Sequence, residues 1–430
     1  MAIADTSMES TEESLHSRHT QKETQDGGCQ GWLVVLGSFI CGLFAYGIYP
    51  AMGPLLVAIQ RYFKASSAGT AWILSLIVFL QFGVGPISNV CVKKIGFRMT
   101  VMCGAAISSF GFFLSYFAKS ILFLYFSLGL CVGFGYGMML TPGTGIFALF
   151  IKKRFAVANY IVALSGGVGV FIFPPMLQIL IDDYGWRGTV LVFCAINAHL
   201  GIAAALFRSR KTLAEDNKHV EEPVSTERGD GESPTRNLRQ LLLICDCDLF
   251  TKHPAFVVFA ASYFTGVGIG FFGAPSHLVA RAEDQQLGSP DEIAFIVSLF
   301  GIASTAARLL LTLEACCQIN KQEIYNILFG IAFLLAGIAN ILSAFATSYA
   351  TYAAYAIVFG LMSGLWFGLF GVVLKASLNA ELFVAGVGLS GLCIAVGGLI
   401  GPICAGFIYD VTGDYNYSFY FYGSFMILEV

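Results

Sequence analysis

Charged residues are scarce in this sequence, at 12% of its 430 residues against about 25% in an ordinary soluble domain. Hydrophobic residues reach 57% and the mean hydropathy is +0.74, so the chain has too little polar surface to be a soluble globule. Intrinsic disorder is excluded because it requires low hydrophobicity. The net charge of −3 offers no basic surface for nucleic acid. The apolar excess therefore has to face a lipid bilayer.

Other patterns are missing as well. The 48 glycines and 12 prolines follow no triplet period, which excludes a collagen-like chain. The 12 cysteines lack the spacing of a zinc site and avoid the predicted outer segments, so we expect neither a metal nor a disulfide framework. The apolar segments contain no acid–base pair or activated nucleophile. These absences indicate that the protein is not an enzyme and needs no cofactor.

Long apolar runs organise the chain. A helix needs about 20 apolar residues to cross the hydrocarbon core, and the sequence contains twelve candidates. They are 32–57, 70–92, 99–118, 121–150, 156–181, 186–207, 254–279, 293–313, 324–345, 349–374, 382–408 and 417–430. We expect an all-α polytopic membrane protein whose twelve transmembrane helices form two six-helix bundles. The last span is short, which predicts a truncated final helix.

The remaining charges predict the topology. A polar tail (1–31) precedes the first bundle (32–207), and a charged connector (208–252) leads to the second bundle (253–430). Most lysines and arginines fall in the tail, in the connector and in the loops on the same side, so the positive-inside rule predicts that both termini are cytoplasmic. Duplicated bundles of this kind recur in secondary transporters, with the substrate held between the halves near the midplane.

Arg308 is the one basic residue predicted inside a span away from its ends. Arg187, at the start of the sixth span, and Arg281 are assigned to the outer side, Arg281 to a loop. A guanidinium at membrane depth costs about 2.5–3.5 kcal/mol, so it normally faces a partner or a water-filled cavity. The first eleven spans contain no Asp or Glu to pair with Arg308. Its planar fork suits a carboxylate brought by a substrate. The alternative is an arginine that bonds backbone carbonyls or extends its charge toward the inner surface.

Five further residues are weaker candidates for a substrate cavity. His277, near the outer end of the seventh span, can bind an anion or simply contact headgroups. Tyr46 in the first span can line a cavity or belong to an aromatic belt, and Asn159 at the start of the fifth can bond substrate or cap a loop. Ser304 shares a helix face with the arginine four residues later. Ser363 lies in the tenth span, where a serine commonly bonds backbone or a neighbouring helix.

Four motifs together resemble the monocarboxylate transporter family of the major facilitator superfamily. They are an acidic-Gly-Gly-aromatic motif at 26–32, a basic run entering the fifth span at 152–162, Gly-Trp-Arg-Gly at 185–188, and a Gly-Pro to Ser-Phe-Tyr segment at 401–420. The resemblance implies the major facilitator fold for the two bundles. It also implies a secondary-active or facilitative carrier of small monocarboxylates in the plasma membrane that works by alternating access. It also implies proton symport as a family option and a single-span accessory glycoprotein as a family partner.

Departures from that family bear on coupling. Its lactate carriers have a first-span lysine, which 49–52 lacks, and an aspartate where this chain has Ser304. His277 resembles the aromatic amino acid and thyroid hormone branch, yet that branch has an aspartate where Ser363 stands. We therefore expect facilitative or weakly proton-linked transport. Two alternatives stay open: a carrier of aromatic or other amino acids or related zwitterions, and a transport-silent membrane sensor or subunit.

Overall fold

The structure is a computed structural model that describes residues 28–65, 67–207, 248–288, 290–316 and 322–428. Within these residues it consists of helices, without a strand. The first half comprises α1 (Gly28–Ala51, continued by Gly53–Phe63), α2 (Ser67–Gly83 and Gly85–Ile95), α3 (Phe97–Tyr116), α4 (Ile121–Phe150), α5 (155–184) and α6 (186–205). The second half comprises α7 (254–284), α8 (Pro290–Cys316), α9 (Gln322–Leu342), α10 (Tyr349–Ser377), α11 (Ala380–Thr412) and α12 (Tyr415–Ile427).

Twelve membrane helices follow from this order. Nine helices of the described residues are long and apolar enough to cross a bilayer, and the bent pair that forms α2 supplies a tenth. The 51-residue run Phe155–Ala205 contains two of the twelve, because its backbone turns at Gly185, whose φ of 66° suits glycine. α12 completes the set with 13 residues, fewer than a full span needs. The predicted twelve-helix fold in two bundles is thus confirmed.

Most helices differ by a few residues from their predicted bounds, and α7 and α8 are two examples. α7 continues past the predicted end at 279, and α8 starts earlier than 293 and ends later than 313. Polar residues in the outer turns of these helices lower the local hydropathy, so an apolar run marks the membrane-embedded part rather than the whole helix. The predicted tail lies outside the described residues up to 27, and the predicted connector lies outside them from 208 to 247.

Glycine lets helices within each half approach closely. A Cβ on Gly47 of α1 would lie 2.5 Å from the Cα of Gly169 in α5. In the second half, a Cβ on Gly268 of α7 would lie 2.7 Å from the Cα of Gly397 in α11. Small residues of this kind allow backbone contact in lipid, where no hydrophobic effect drives helices together.

The two halves contact each other at the end of the bundle at which α6 ends and α7 begins, called here the connector end. Asn89 of α2 donates to the carbonyl of Ala385 in α11 at 3.4 Å. Phe155 at the start of α5 packs edge-on against Phe383 of α11, with ring centroids 5.5 Å apart. These contacts close the interface between the halves at the connector end.

A leucine at Gly388 of α11 is expected to separate the halves there, because a Cβ at this position would lie 2.6 Å from the Asn89 amide and 3.0 Å from the Gly85 backbone. In a background without the native cysteines, a cysteine introduced at Ala385 should then react several times faster with an impermeant thiol reagent applied from the connector end. Gly330→Leu in α9 is the matched control, since nothing lies within 4 Å of a Cβ there. Equal rates in both variants would contradict this closure.

Candidate functional site

Arg308 of α8 reaches across the interface between the halves. Its Nη1 donates to the carbonyl of Ala163 in α5 at 3.3 Å, and its Nη2 donates to the Ser304 hydroxyl at 3.4 Å. The guanidinium carbon lies 5.1 Å from the centre of the Phe367 ring of α10. Nε is buried without a hydrogen-bond partner, and no carboxylate of the described chain forms an ion pair with this group. The arginine therefore keeps donors and a positive charge available to a ligand.

Two predicted serines join this arginine. The Ser363 hydroxyl of α10 donates to the Gly360 carbonyl at 2.7 Å and lies within hydrogen-bond distance of the Ser304 hydroxyl, at 3.2 Å. Both serines are buried. Ser304 accepts from Arg308 in turn, so the three side chains form a short polar chain from α10 to α8. The structure brings these three candidates together.

Tyr46 of α1 approaches the same point from the first half. Gly166 of α5 lies between it and the arginine: a Cβ there would lie 3.0 Å from the Tyr46 Cβ and 3.2 Å from Nη1 of Arg308. A larger residue at Gly166 would therefore push the two side chains apart. Tyr46 is half-buried and thus retains some accessible surface beside the arginine.

Asn159 lies one helical turn before the carbonyl that Arg308 bonds, toward the connector end. Its Nδ2 donates to the Gly368 carbonyl of α10 at 2.7 Å, and its Oδ1 contacts Gly371. The side chain is buried. Asn159 therefore joins the two halves directly, beside the arginine rather than within its polar chain.

His277 lies elsewhere, between α7 and α12. Its Nδ1 is 2.8 Å from the Tyr422 hydroxyl and 3.3 Å from the Gly273 carbonyl one turn earlier. The imidazole also lies alongside the Tyr422 ring, with centroids 6.1 Å apart. These contacts belong to the packing of the second half, and the structure does not bring His277 to Arg308.

Known proteins resemble the chain over most of its length. The profile of the Major Facilitator Superfamily matches residues 34–315. Monocarboxylate transporter 3 of Rattus norvegicus is 32% identical over 408 residues, which cover 94% of this chain and 79% of that protein. The chain belongs to the monocarboxylate transporter family. Monocarboxylate transporter 11 of Homo sapiens is 29% identical over 411 residues, covering 94% of this chain and 82% of the relative.

Solved transporters share the fold of this monocarboxylate transporter family member. FucP, a fucose:proton symporter captured in the outward conformation, matches with a TM-score of 0.64 at 15% identity over 94% of this chain and 97% of its own. The proton:xylose symporter XylE matches with a TM-score of 0.64 at 11% identity over 93% and 94% of the two chains. Family membership makes the chain a multi-pass membrane transporter and not an enzyme, as its sequence predicts.

A second arginine is buried, which corrects the assignment of Arg281 to an outer loop. Arg281 lies in α7 with 0% of its surface exposed. It donates to the hydroxyl and the carbonyl of Ser343, at 2.7 and 2.5 Å. Its guanidinium carbon stands 4.5 Å from the Phe419 ring and 5.4 Å from the Tyr352 ring. The prediction was wrong because the apolar run ends before α7 does. The sequence did contain one sign that Arg281 belongs to this helix: it follows His277 by four residues, a spacing that puts the two side chains on one helix face.

Arg281→Met is expected to destabilise the protein by about 2 kcal/mol, because it keeps apolar volume but removes two hydrogen bonds from a charged donor. The Ser343 carbonyl loses its charged partner in the variant. The thermal midpoint of the detergent-purified protein measures the effect. Arg61→Met, at an exposed position of α1, serves as the control. A midpoint equal to that of the control would show that the buried arginine contributes no stability.

Proposed function

We propose that this protein carries small monocarboxylates across the plasma membrane by alternating access, with Arg308 as the anchor for the carboxylate. The observation that carries the proposal is a guanidinium at the interface of the halves whose buried Nε has no partner and beside which the described residues place no carboxylate. A substrate carboxylate can accept two parallel N–H groups from such a fork and supply the missing negative charge. The relatives named above are monocarboxylate transporters, which agrees with a substrate of this kind.

The other candidates divide into two groups around that anchor. Ser304 and Ser363 orient the guanidinium through their hydroxyl chain, and Tyr46 forms the facing wall. Asn159 acts in the contact between the halves, and His277 acts through the position of α7 against α12. Substrate binding therefore rests on the first group, and the second group governs how the helices around it move.

The transport cycle follows from which end is closed. Sequence predicts that the connector and both termini are cytoplasmic, so the closed connector end is assigned to the cytoplasmic side and substrate enters from outside. Release to the cytoplasm then requires that the hydrogen bonds from Asn89 to Ala385 and from Asn159 to Gly368 break. A single-span accessory glycoprotein, suggested by family resemblance alone, would pack against the outer surface of this bundle.

Arg308→Ala should lower the uptake of labelled pyruvate by roughly 30-fold or more, since it removes the partner of a desolvated carboxylate. Arg308→Lys keeps the charge but loses the bidentate fork, and should restore only part of the uptake. Surface biotinylation measures how much protein reaches the membrane, and Arg61→Ala at an exposed position is the control. Normal uptake by Arg308→Ala at normal surface level would remove this residue from the site.

Transport should depend little on a proton gradient, because the position four residues before Arg308 carries the hydroxyl of Ser304 rather than a carboxylate that could bind a proton. We expect an inward proton gradient to change the initial rate of pyruvate uptake into proteoliposomes only slightly. Glu314, later on α8, is the residue to compare: it accepts from the Tyr325 hydroxyl at 3.0 Å near the connector end. Strong acceleration that disappears in Glu314→Gln would assign a proton to that carboxylate and overturn the facilitative reading.

The alternative of an amino acid or related zwitterion has less support. An ammonium group needs an anionic partner when it leaves water. The contacts described around Arg308 come from a carbonyl, a hydroxyl and an aromatic ring. This surrounding complements an anion better than a zwitterion, and membership of a transporter family argues against a transport-silent sensor.

A further inference from the structure

Aromatic rings continue from one half of the protein into the other. The ring centroid of Tyr46 in α1 lies 6.4 Å from that of Phe82 in α2. Phe82 meets Phe272 of α7 edge-on at 5.6 Å, which crosses from the first half to the second. Phe272 lies 5.4 Å from its neighbour Phe271. Four rings on three helices are therefore in continuous contact.

The series returns to its starting point through the arginine. Phe271 meets Phe367 of α10 edge-on at 5.2 Å, and the guanidinium of Arg308 stands 5.1 Å from the Phe367 ring. At Gly166, the arginine and Tyr46 both lie close to one Cβ position. The five rings and the guanidinium thus form a closed ring of side chains, called here the aromatic circuit: Tyr46, Phe82, Phe272, Phe271, Phe367 and Arg308.

The aromatic circuit has members in both halves of the protein. It passes through α1, α2, α7, α10 and α8 and closes at α5, crossing between the halves at Phe82 and again at Gly166. Tyr46, Phe271 and Phe367 are only partly buried, although they belong to membrane-spanning helices. Their rings therefore keep some apolar surface that the protein itself does not cover.

We infer that the preferred substrate is a monocarboxylate with an aromatic body and without an ammonium group, such as an aryl 2-oxo acid. The inference rests on the proposed function and names the substrate class of the same site. The carboxylate binds the guanidinium of Arg308, which lies at one point of the circuit, and the aryl group stacks on the rings opposite. Offset and edge-to-face contacts with Phe271 and Phe367 suit an aromatic group of this size.

Smaller and more polar ligands match the circuit less well. A three-carbon acid pairs with the guanidinium but leaves most of the ring surface uncovered, and so gains little from burial of apolar area. A sugar brings hydroxyl groups that the four phenylalanine rings cannot bond. An aromatic amino acid adds an ammonium group, for which the side chains of the circuit hold no carboxylate.

Three ligands test the inference because they differ by one group each: pyruvate, phenylpyruvate and phenylalanine. In proteoliposomes that hold the full chain, phenylpyruvate should inhibit the uptake of labelled pyruvate at a concentration at least tenfold lower than unlabelled pyruvate does. Phenylalanine should compete poorly. Labelled phenylpyruvate should itself accumulate, and inhibition without accumulation would make it a blocker and contradict its assignment as substrate.

Two leucine variants locate the preference. Phe367→Leu and Phe272→Leu keep apolar bulk but remove a ring. They should reduce the advantage of phenylpyruvate over pyruvate by about tenfold, measured within each variant as the ratio of the two inhibiting concentrations. Phe329→Leu is the matched control, a buried phenylalanine of α9 that packs on other rings outside the circuit. An unchanged preference in both circuit variants, or the same loss in the control, would overturn the role of the circuit.

Failure of this inference is distinct from failure of the proposed function. If the protein moves pyruvate and phenylpyruvate competes no better than pyruvate, the substrate class is wrong and the transport proposal stands. If the protein moves neither acid although it is folded and correctly inserted, both are wrong. If phenylalanine competes as well as phenylpyruvate, the circuit recognises the ring but accepts an ammonium group, which contradicts the inference as stated.

Discussion

The guanidinium of Arg308 lies between the two halves of the protein, where water hydrates it poorly. The groups that the surrounding helices place next to it reduce the free-energy cost of burying this charge. Placing it there costs about 2.5–3.5 kcal/mol on insertion scales. A carbonyl from α5, a hydroxyl from its own helix and the face of Phe367 from α10 offset part of the cost. None of these groups carries a full negative charge. The positive charge of the guanidinium is consequently not neutralised by these groups. A substrate carboxylate that binds it would not first have to displace a carboxylate of the protein.

Glycines determine how closely the backbone passes this arginine. Besides Gly166 in α5, two glycines of α10 face α8: Gly364 contacts the Ser304 carbonyl, and a Cβ on Gly368 would lie 4.0 Å from the Cγ of Arg308. Side chains at these positions would fill the space around the guanidinium or force α8 away from α10. Close backbone contact also limits rotation of the helices, so the donors of the arginine keep a defined direction. A fixed fork discriminates between ligands better than a mobile one.

The features that sequence predicted correctly are local ones. Apolar runs indicate membrane helices because a helix in lipid forms its backbone hydrogen bonds within its own segment. The four-residue spacing likewise placed Ser304 beside Arg308. The partners of Asn159 and His277 lie 209 and 145 residues away, at Gly368 and Tyr422, and no local pattern contains them. Arg281 was misassigned because hydropathy describes a window of residues, whereas burial depends on which helices surround its end. The aromatic circuit is likewise invisible in sequence, since five helices contribute to it.

One bond of the site links substrate binding to movement of the halves. Arg308 belongs to the second half and the carbonyl of Ala163 to the first, so their hydrogen bond joins the halves when no substrate is bound. On the proposed function, a carboxylate that takes this donor removes the link, and a substrate body against Tyr46 and Phe82 of the first half takes its place. A ligand shifts a conformational equilibrium only by its difference in affinity for the two states. The proposed function thus gives the empty and the loaded protein one contact each between the halves at this site. A facilitative carrier requires that both of these forms reorient, whereas a strict proton symporter must in addition prevent reorientation of the form that holds substrate without a proton.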